Sequence, residues 1–374
     1  MARQRRFIDA NVYEESKKRI HHIFDTHDHV NVAFSGGKDS TAVLNLVREV
    51  SEERGIGTVD CHHRDEEFNP APILDNIKHY FDLEWTNMTW YCVPRSSTMF
   101  VLGFNKEVIK WDPSGNRKWV RPKPEWAETL NDTDQIFGQD DFDMMVADNY
   151  PNGKVAIVNG IRADESIVRY RSVVNKVTEN YIAKSFSPRA TLCKPIYDWQ
   201  MNDVFKYFKD NSLRYSSWYE DQMWSGDALR VASPLIAESM KTIEKWAMMD
   251  PEFYDRLTEV FPEVRAHERY KGTISDKHLY KQYGRDMKGV KEWIQATVDP
   301  ESSTYRTMMA KWKNLEQLAK SNPERYLVDG NAEWILGHFI NGRILHGDIY
   351  PKTTAQVRAS KKKKKPKINE SRKK

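Results

Sequence analysis

The stretch from Val30 to Val50 constrains this chain more than any other. A short apolar run, Val30-Asn31-Val32-Ala33-Phe34, meets a glycine-bearing turn, Ser35-Gly36-Gly37-Lys38-Asp39-Ser40. That turn feeds a run with apolar residues at Ala42, Val43, Leu44, Leu46, Val47 and Val50, the spacing of a buried helix. A strand delivering a glycine turn to a helix start has the parts of an anion site. Gly36 and Gly37 permit backbone angles that aim successive N–H groups at one point, and the helix start adds unpaired donors and the positive end of its dipole. Lys38 supplies a point charge for a phosphate, Ser35 and Ser40 supply hydroxyls, and Asp39 is placed to hold Mg²⁺ or to orient the loop. The spacing is not that of the Walker loop, which disfavours a kinase or GTPase.

Flanking segments repeat the pattern. Residues 11–25 and 71–81 predict helices, and residues 55–60, 83–90 and 155–160 predict strands. Strands alternating with helices predict a mainly parallel α/β sheet covered on both faces. Residues 108–120 predict a hairpin around Asp112-Pro113-Ser114-Gly115-Asn116. Pro122 and Pro124 then lead into an acidic stretch near 131–143 with short helices of its own. Beyond about residue 235 the pattern turns helical, at 236–248, 251–260, 305–320 and 332–346. The expected organisation is a nucleotide-binding domain over 1–230 with an insertion at about 99–150, a helical domain over 231–358, and a basic tail over 359–374.

Charge and cysteine content narrow the function classes. Of 58 basic and 54 acidic side chains, nine and one fall in residues 361–374, so that tail carries +8 and the rest of the chain −4. A run of this kind self-repels and predicts disorder, with a solvated tail or a contact to nucleic acid as its two uses. Three widely spaced cysteines, Cys61, Cys92 and Cys193, argue against a disulfide framework and against an iron–sulfur cluster. No apolar run approaches the ~20 residues that cross a bilayer. The basic start, Met1 to Arg6, leads into mixed polar residues, so the expectation is a cytoplasmic protein without a secretory signal or membrane contact.

Gly160-Ile161-Arg162 places a guanidinium just past a predicted buried strand. Ligands of open parallel sheets bind outside such strand ends. Arg162, Arg169 and Arg171 are therefore candidates to grip an anionic group in the same crevice as the loop; a surface ion pair of Arg162 with Asp164 or Glu165 is the alternative. His62 and His63 follow a predicted strand end and either approach a nucleotide or, less commonly for adjacent histidines, ligate a metal with Asp65. Trp111, Trp119, Trp126 and Trp199 read as core or inter-domain packing residues, with an exposed pair stacking on a base as the alternative.

Ser35-Gly36-Gly37-Lys38-Asp39-Ser40 resembles the PP-loop of the adenine nucleotide α-hydrolase superfamily, which includes N-type ATP pyrophosphatases and phosphoadenosine phosphosulfate (PAPS) reductases. Further matches point to the PAPS reductase branch. The segment from Asp60 to Pro70 sits where that family has Asp-Thr-Gly and a Phe-Pro step. Gly160-Ile161-Arg162-Ala163-Asp164-Glu165-Ser166 with Arg169 and Arg171 is similar to its Gly-Ile/Val-Arg…Glu-Ser…Arg element. Pro195-Ile196-Tyr197-Asp198-Trp199 with Asp203, Val204, Phe205 and Tyr207 resembles its Pro-Ile/Leu-x-Asp-Trp segment. The C-terminal half resembles the domain that accompanies a PAPS reductase-like domain in immunoglobulin-binding-regulator A-like proteins of bacteria and their phages. That resemblance implies a ParB/sulfiredoxin-like partner.

The resemblance implies a HUP-type fold and an ATP or PAPS ligand contacted by Ser35, Gly36, Gly37, Lys38, Asp39, Ser40, Asp60, Arg162, Arg169 and Arg171. Lys38 and Arg162 become the catalytic candidates and Asp39 the Mg²⁺ candidate. The family's reductases also need a nucleophilic cysteine in a C-terminal Glu-Cys-Gly-Ile/Leu-His element, and no cysteine follows Cys193. The expected chemistry is therefore cleavage of ATP to AMP and pyrophosphate to activate an acceptor, without a thiol. The alternative is a regulatory protein that binds nucleotide without turnover.

Overall fold

A computed structural model describes residues 8–102, 104–131, 133–173, 179–271, 276–284, 286–321, 335–340 and 344. It divides into two compact units. The first comprises residues 1–97, 109–234 and 242–261, and the second residues 98–108, 235–241 and 262–374. Among the described residues, no helix is long and apolar enough to cross a membrane. The basic tail lies outside the described residues.

The first unit opens with α1 (Val12–Thr26), whose start is capped by the Asn11 side chain accepting from the Tyr13 amide. Strand β1 (His29–Ala33) then delivers the glycine turn to α2 (Lys38–Glu53). Strand β2 (Val59–Arg64), helix α3 (Ala71–Phe81) and strand β3 (Thr86–Tyr91) complete one side. A two-stranded ribbon follows, β4 (Arg95–Val101) with β5 (Phe104–Lys110), whose residues 98–108 belong to the second unit. Helix α4 (Gln139–Asp148) leads to β6 (Val155–Val158), a 3₁₀ turn at Ala163–Glu165 and α5 (Ile167–Val173). Strands β7 (Ile182–Lys184) and β8 (Ala190–Cys193), then α6 (Met201–Asp210) and α7 (Trp218–Ser225), continue the unit.

The six-stranded sheet runs in the order β3-β2-β1-β6-β8-β7, parallel throughout except for the antiparallel pairing of β7 with β8. The α/β expectation holds. Val146 and Ala147 of α4 pack on Val155, Ile157 and Ala190, so successive β6 side chains, which alternate in direction, leave Ala156 and Val158 for the other face. Helices α1 and α2 pack on β1, α2 on β2, and α3 on β3. From β1 the chain builds outward to β2 and β3, then returns to lay β6 on the opposite side. The order reverses between β1 and β6, and in open sheets of this kind that is where the carboxyl ends of the strands leave a crevice.

After α7, α8 (Ala237–Met240) belongs to the second unit, while α9 (Ile243–Met249) and α10 (Pro251–Val260) return to the first. The second unit continues through α11 (Glu263–Tyr270), α12 (Asp276–Tyr283), α13 (Met287–Thr297) and α14 (Ser303–Ser321). Its buried His267 accepts the Leu102 amide at Nδ1 (3.0 Å) and faces the Met240 carbonyl with Nε2 at 3.0 Å, tying α11 to the ribbon tip and to α8. The Trp312 indole of α14 donates to the Met287 carbonyl of α13 at 2.7 Å.

Three expectations shift. The second strand, expected over 55–60, starts only at Val59; Gly55 and Gly57 take positive φ (70° and 77°) in the turn that follows α2. The hairpin spans 95–110 rather than 108–120. Trp111 has φ of 52°, which ends the strand, and the Glu67 carboxylate takes the Trp111 and Val120 amides that a ladder there would need. Strands β7 and β8 and helices α11 to α13 were not expected, whereas the helix expected at 332–346 is described only over 335–340.

Candidate nucleotide site

The turn at residues 35–40 is braced by its own serines. The Ser35 amide donates to Ser40 Oγ (3.2 Å), Ser40 Oγ donates to the Gly37 carbonyl (3.0 Å), and the two hydroxyls lie 3.0 Å apart. Both hydroxyls therefore shape the loop. Gly36 sits at φ +73°, and a Cβ there would lie 2.4 Å from Ile77 Cγ1 of α3, so only glycine lets the loop close onto that helix. Asn76 of α3 fastens the same turn by donating to the Gly36 carbonyl at 3.0 Å.

Helix α2 starts without a side-chain cap. The Lys38 amide donates to the Tyr219 hydroxyl at 2.7 Å. Among the described residues, the amides of Gly36, Asp39 and Ser40 make no hydrogen bond. Unpaired amides at a helix start, carrying the positive end of the dipole, are where anions bind.

Gly160, just past β6, comes within 2.6 Å of the Asp39 backbone measured from where its Cβ would stand, so a side chain there would push β6 away from α2. This close approach carries Arg162 over the loop. Arg162 Nε donates to Asp39 Oδ1 at 2.6 Å, and Lys38 Nζ donates to Asp39 Oδ2 at 2.8 Å. Two cations thus share one carboxylate, with the Lys38 and Arg162 side chains each only 4% exposed. Burial holds the Lys38 ammonium below its ordinary value; Asp39 pulls it back up, and the Arg162 and Arg169 charges push it further down. The pocket is short of negative charge.

The remaining candidates separate. Arg169, on α5, is half exposed and forms an ion pair with Glu165, whose carboxylate also accepts the Arg162 amide at 3.2 Å. Arg171 lies exposed on the same helix. Asp60 is on the amino-terminal half of β2, where Asn87 Nδ2 (2.8 Å) and the Tyr150 hydroxyl (2.9 Å) donate to it, and it is not brought to the loop. His62 meets Asn31 Oδ1 at 2.6 Å and His63 meets the Phe34 carbonyl at 2.8 Å, both through Nδ1. Burial, then the Arg64 and His63 charges, lowers His62 to about 3. Among the described residues, no group of three His, Cys, Asp or Glu side chains is arranged to hold a metal.

The segment from Pro195 to Trp199 clamps α1. Arg19 meets Asp198 through both oxygens at 2.8 and 2.7 Å, and the Trp199 indole donates to Ser16 Oγ at 2.8 Å. The Trp199 carbonyl in turn accepts from Arg162 at 3.4 Å. Tyr219 and Asn76 are the residues that sequence reasoning missed. Both come from helices remote in sequence, and no local pattern announces them.

A family model for the phosphoadenosine phosphosulfate reductase domain matches residues 29–257. The uncharacterized protein YbdN of Escherichia coli (strain K12) is 22% identical over 289 residues, covering 73% of this chain and 70% of that protein. Among solved structures, FMN adenylyltransferase of Candida glabrata in complex with FAD and inorganic pyrophosphate aligns with a TM-score of 0.38 at 12% identity, over 56% of this chain and 59% of that one. The chain thus spans less than two thirds of that structure's length. Phosphoadenylyl-sulfate reductase of Candida auris aligns with a TM-score of 0.34 at 10% identity, over 61% of this chain and 97% of that one. One family model matches more than half of the sequence, and the chain belongs to the phosphoadenosine phosphosulfate reductase domain family.

Proposed function

We propose that the chain binds an adenine nucleotide, ATP or PAPS, at residues 35–40 and cleaves ATP to AMP and pyrophosphate to activate an acceptor. The observation that carries this reading is the shared carboxylate: Lys38 and Arg162, both buried, face Asp39 beside amides that have no partner among the described residues. A bound triphosphate brings the negative charge that the pocket lacks. Lys38 Nζ and the Arg162 guanidinium then turn from Asp39 to phosphate oxygens, and the amides of Gly36, Asp39 and Ser40 complete the cradle. An acceptor oxygen attacks the α-phosphorus, the bond to the bridging oxygen breaks, and the charge that develops on departing pyrophosphate is met by both cations; the adenylyl group stays on the acceptor and leaves as AMP when a second nucleophile displaces it.

Asp39 is a single carboxylate, and Mg²⁺ commonly binds through one or two carboxylates with the phosphates supplying further oxygens. Asp39 fits that role once Lys38 and Arg162 have moved to the nucleotide; Mg²⁺ held there would neutralise phosphate charge. Thiol chemistry is poorly supported. Cys61, Cys92 and Cys193 are all buried, and burial pushes the Cys61 and Cys92 thiols upward, away from the reactive thiolate.

The test is pyrophosphate release from ATP by the full-length protein with Mg²⁺, in the wild type and in Lys38→Met. Release that disappears in the variant supports the reading. Saturable ATP binding without any product, even with cell extract added as a source of acceptor, removes the cleavage half and leaves nucleotide binding alone.

A further inference from the structure

Three consecutive carboxylates follow β2, and they are not neutralised alike. Asp65 pairs with Arg121 and accepts the Trp90 indole N–H at 2.7 Å. Glu67 receives Arg117 on both oxygens, at 2.6 and 2.7 Å. Each of these two carboxylates is fully buried with one guanidinium of its own. Glu66 instead meets three cations: Arg64 Nε at 3.3 Å, Arg95 at 2.6 Å, and the Lys110 ammonium against its other oxygen.

The fold brings these cations together from separate places. Arg64 ends β2, Arg95 opens β4 and Lys110 closes β5, so the base of the ribbon folds back onto the carboxyl edge of the sheet. Asp143 of α4, buried and accepting the Ser185 hydroxyl at 2.7 Å, is a second negative charge acting on Arg64. With Asp143 counted, and with Asp65, which acts on Lys110, matched by its own Arg121, the three cations face two carboxylates. Burial, then the Arg64 charge, lowers the Lys110 ammonium to about 7, and burial also lowers Arg95. The cluster nevertheless opens outward: the Arg64, Glu66 and Arg95 side chains keep 28%, 26% and 21% exposure.

We propose that Arg64, Arg95 and Lys110 form a second anion-binding subsite for a phosphate or sulfate group, with Glu66 holding the cations in place until the anion arrives. Two guanidinium groups offer planar paired donors and the ammonium a point charge, the combination that suits a tetrahedral dianion. Ala33 pairs with His62, so Arg64 stands one strand away from the loop that follows β1, at the same sheet edge. The subsite uses neither Lys38, Asp39 nor Arg162, and it can fail or hold independently of the nucleotide reading.

Calorimetric titration of the full chain with orthophosphate tests it, using the wild type, Lys38→Met, Arg95→Gln and Lys110→Met. The wild type is expected to take two phosphates, and Lys38→Met to keep the one at Glu66. Arg95→Gln and Lys110→Met are expected to keep the loop phosphate and to weaken the other at least tenfold. Saturating ATP separates the sources: if a phosphate of the nucleotide fills the subsite, orthophosphate is excluded, and if a separate anion does, one orthophosphate still binds. A single phosphate in the wild type, lost in Lys38→Met, overturns the proposal. So does wild-type binding by Arg95→Gln, whose partly exposed position keeps the test available if Lys110→Met does not fold. Two phosphates retained in Lys38→Met would count against the loop reading alone.

Discussion

Glu67 and Asp39 are both acidic residues placed just after parallel strands or at a helix start, yet their surroundings differ in kind. Glu67 is fully buried, and each oxygen accepts from Arg117 and from a backbone amide, Val120 on one and Trp111 on the other. Every lone pair has a purpose and the charges balance, which describes a structural anchor. Asp39 is divided between two buried cations, and the amides of Gly36, Asp39 and Ser40 beside it have no partner among the described residues. A site complete in itself holds the chain together, whereas one short of negative charge is prepared for a ligand.

That contrast predicts opposite responses to mutation. Glu67→Ala strands Arg117 and two amides in the interior and is expected to cost about 3–5 kcal/mol in urea unfolding. A loss under about 1 kcal/mol would make Glu67 no more than a surface-type pair. Lys38→Met keeps the aliphatic bulk and removes a charge that burial already disfavours, while Asp39 retains Arg162. Its stability is expected to change by less than about 1 kcal/mol or to rise, because the cation removed is the one in excess and Asp39 is not left as an unpaired buried charge. A large loss of stability would place Lys38 with Glu67 among the anchors.

Acid probes the strand between the two regions. His62 titrates near 3 when folded, against 6.5 when free, so between those values the unfolded chain binds the extra proton. Stability from this group is therefore complete above about pH 6.5 and falls as pH drops, by roughly 2 kcal/mol at pH 5. His62→Gln should flatten that slope in unfolding measured across pH 7 to 5; an unchanged slope would assign the acid sensitivity to other groups. The smallest effect belongs to Arg171. Exposed on α5, it is expected to alter nucleotide affinity by less than about 1 kcal/mol when replaced by alanine. A larger loss would extend the site along that helix.

How much of this was legible depended on whether the determining residues were contiguous. The glycine turn carries its own strand, bend and helix start in one stretch, so both its structure and its charge could be read directly. Arg162 could be placed because a buried strand ends just before it. The turn at 112–116 has the composition of a hairpin, but the amides that flank it are captured by Glu67, a residue more than 40 positions earlier. Local pattern has no access to such a capture. Tyr219, which accepts the Lys38 amide, lies 181 residues away and carries no motif. Asp60 shows the reverse: a match to a family element placed it with the ligand, and its strand position gives it to Asn87 and Tyr150.

The most direct measurement is a crystal structure of the full chain grown with a non-hydrolysable ATP analogue and Mg²⁺. Nucleotide phosphates seated on the residue 35–40 turn, with Lys38 Nζ and Arg162 moved from Asp39 onto phosphate oxygens, are the predicted result. A nucleotide bound elsewhere, with both cations still on Asp39, would contradict the account.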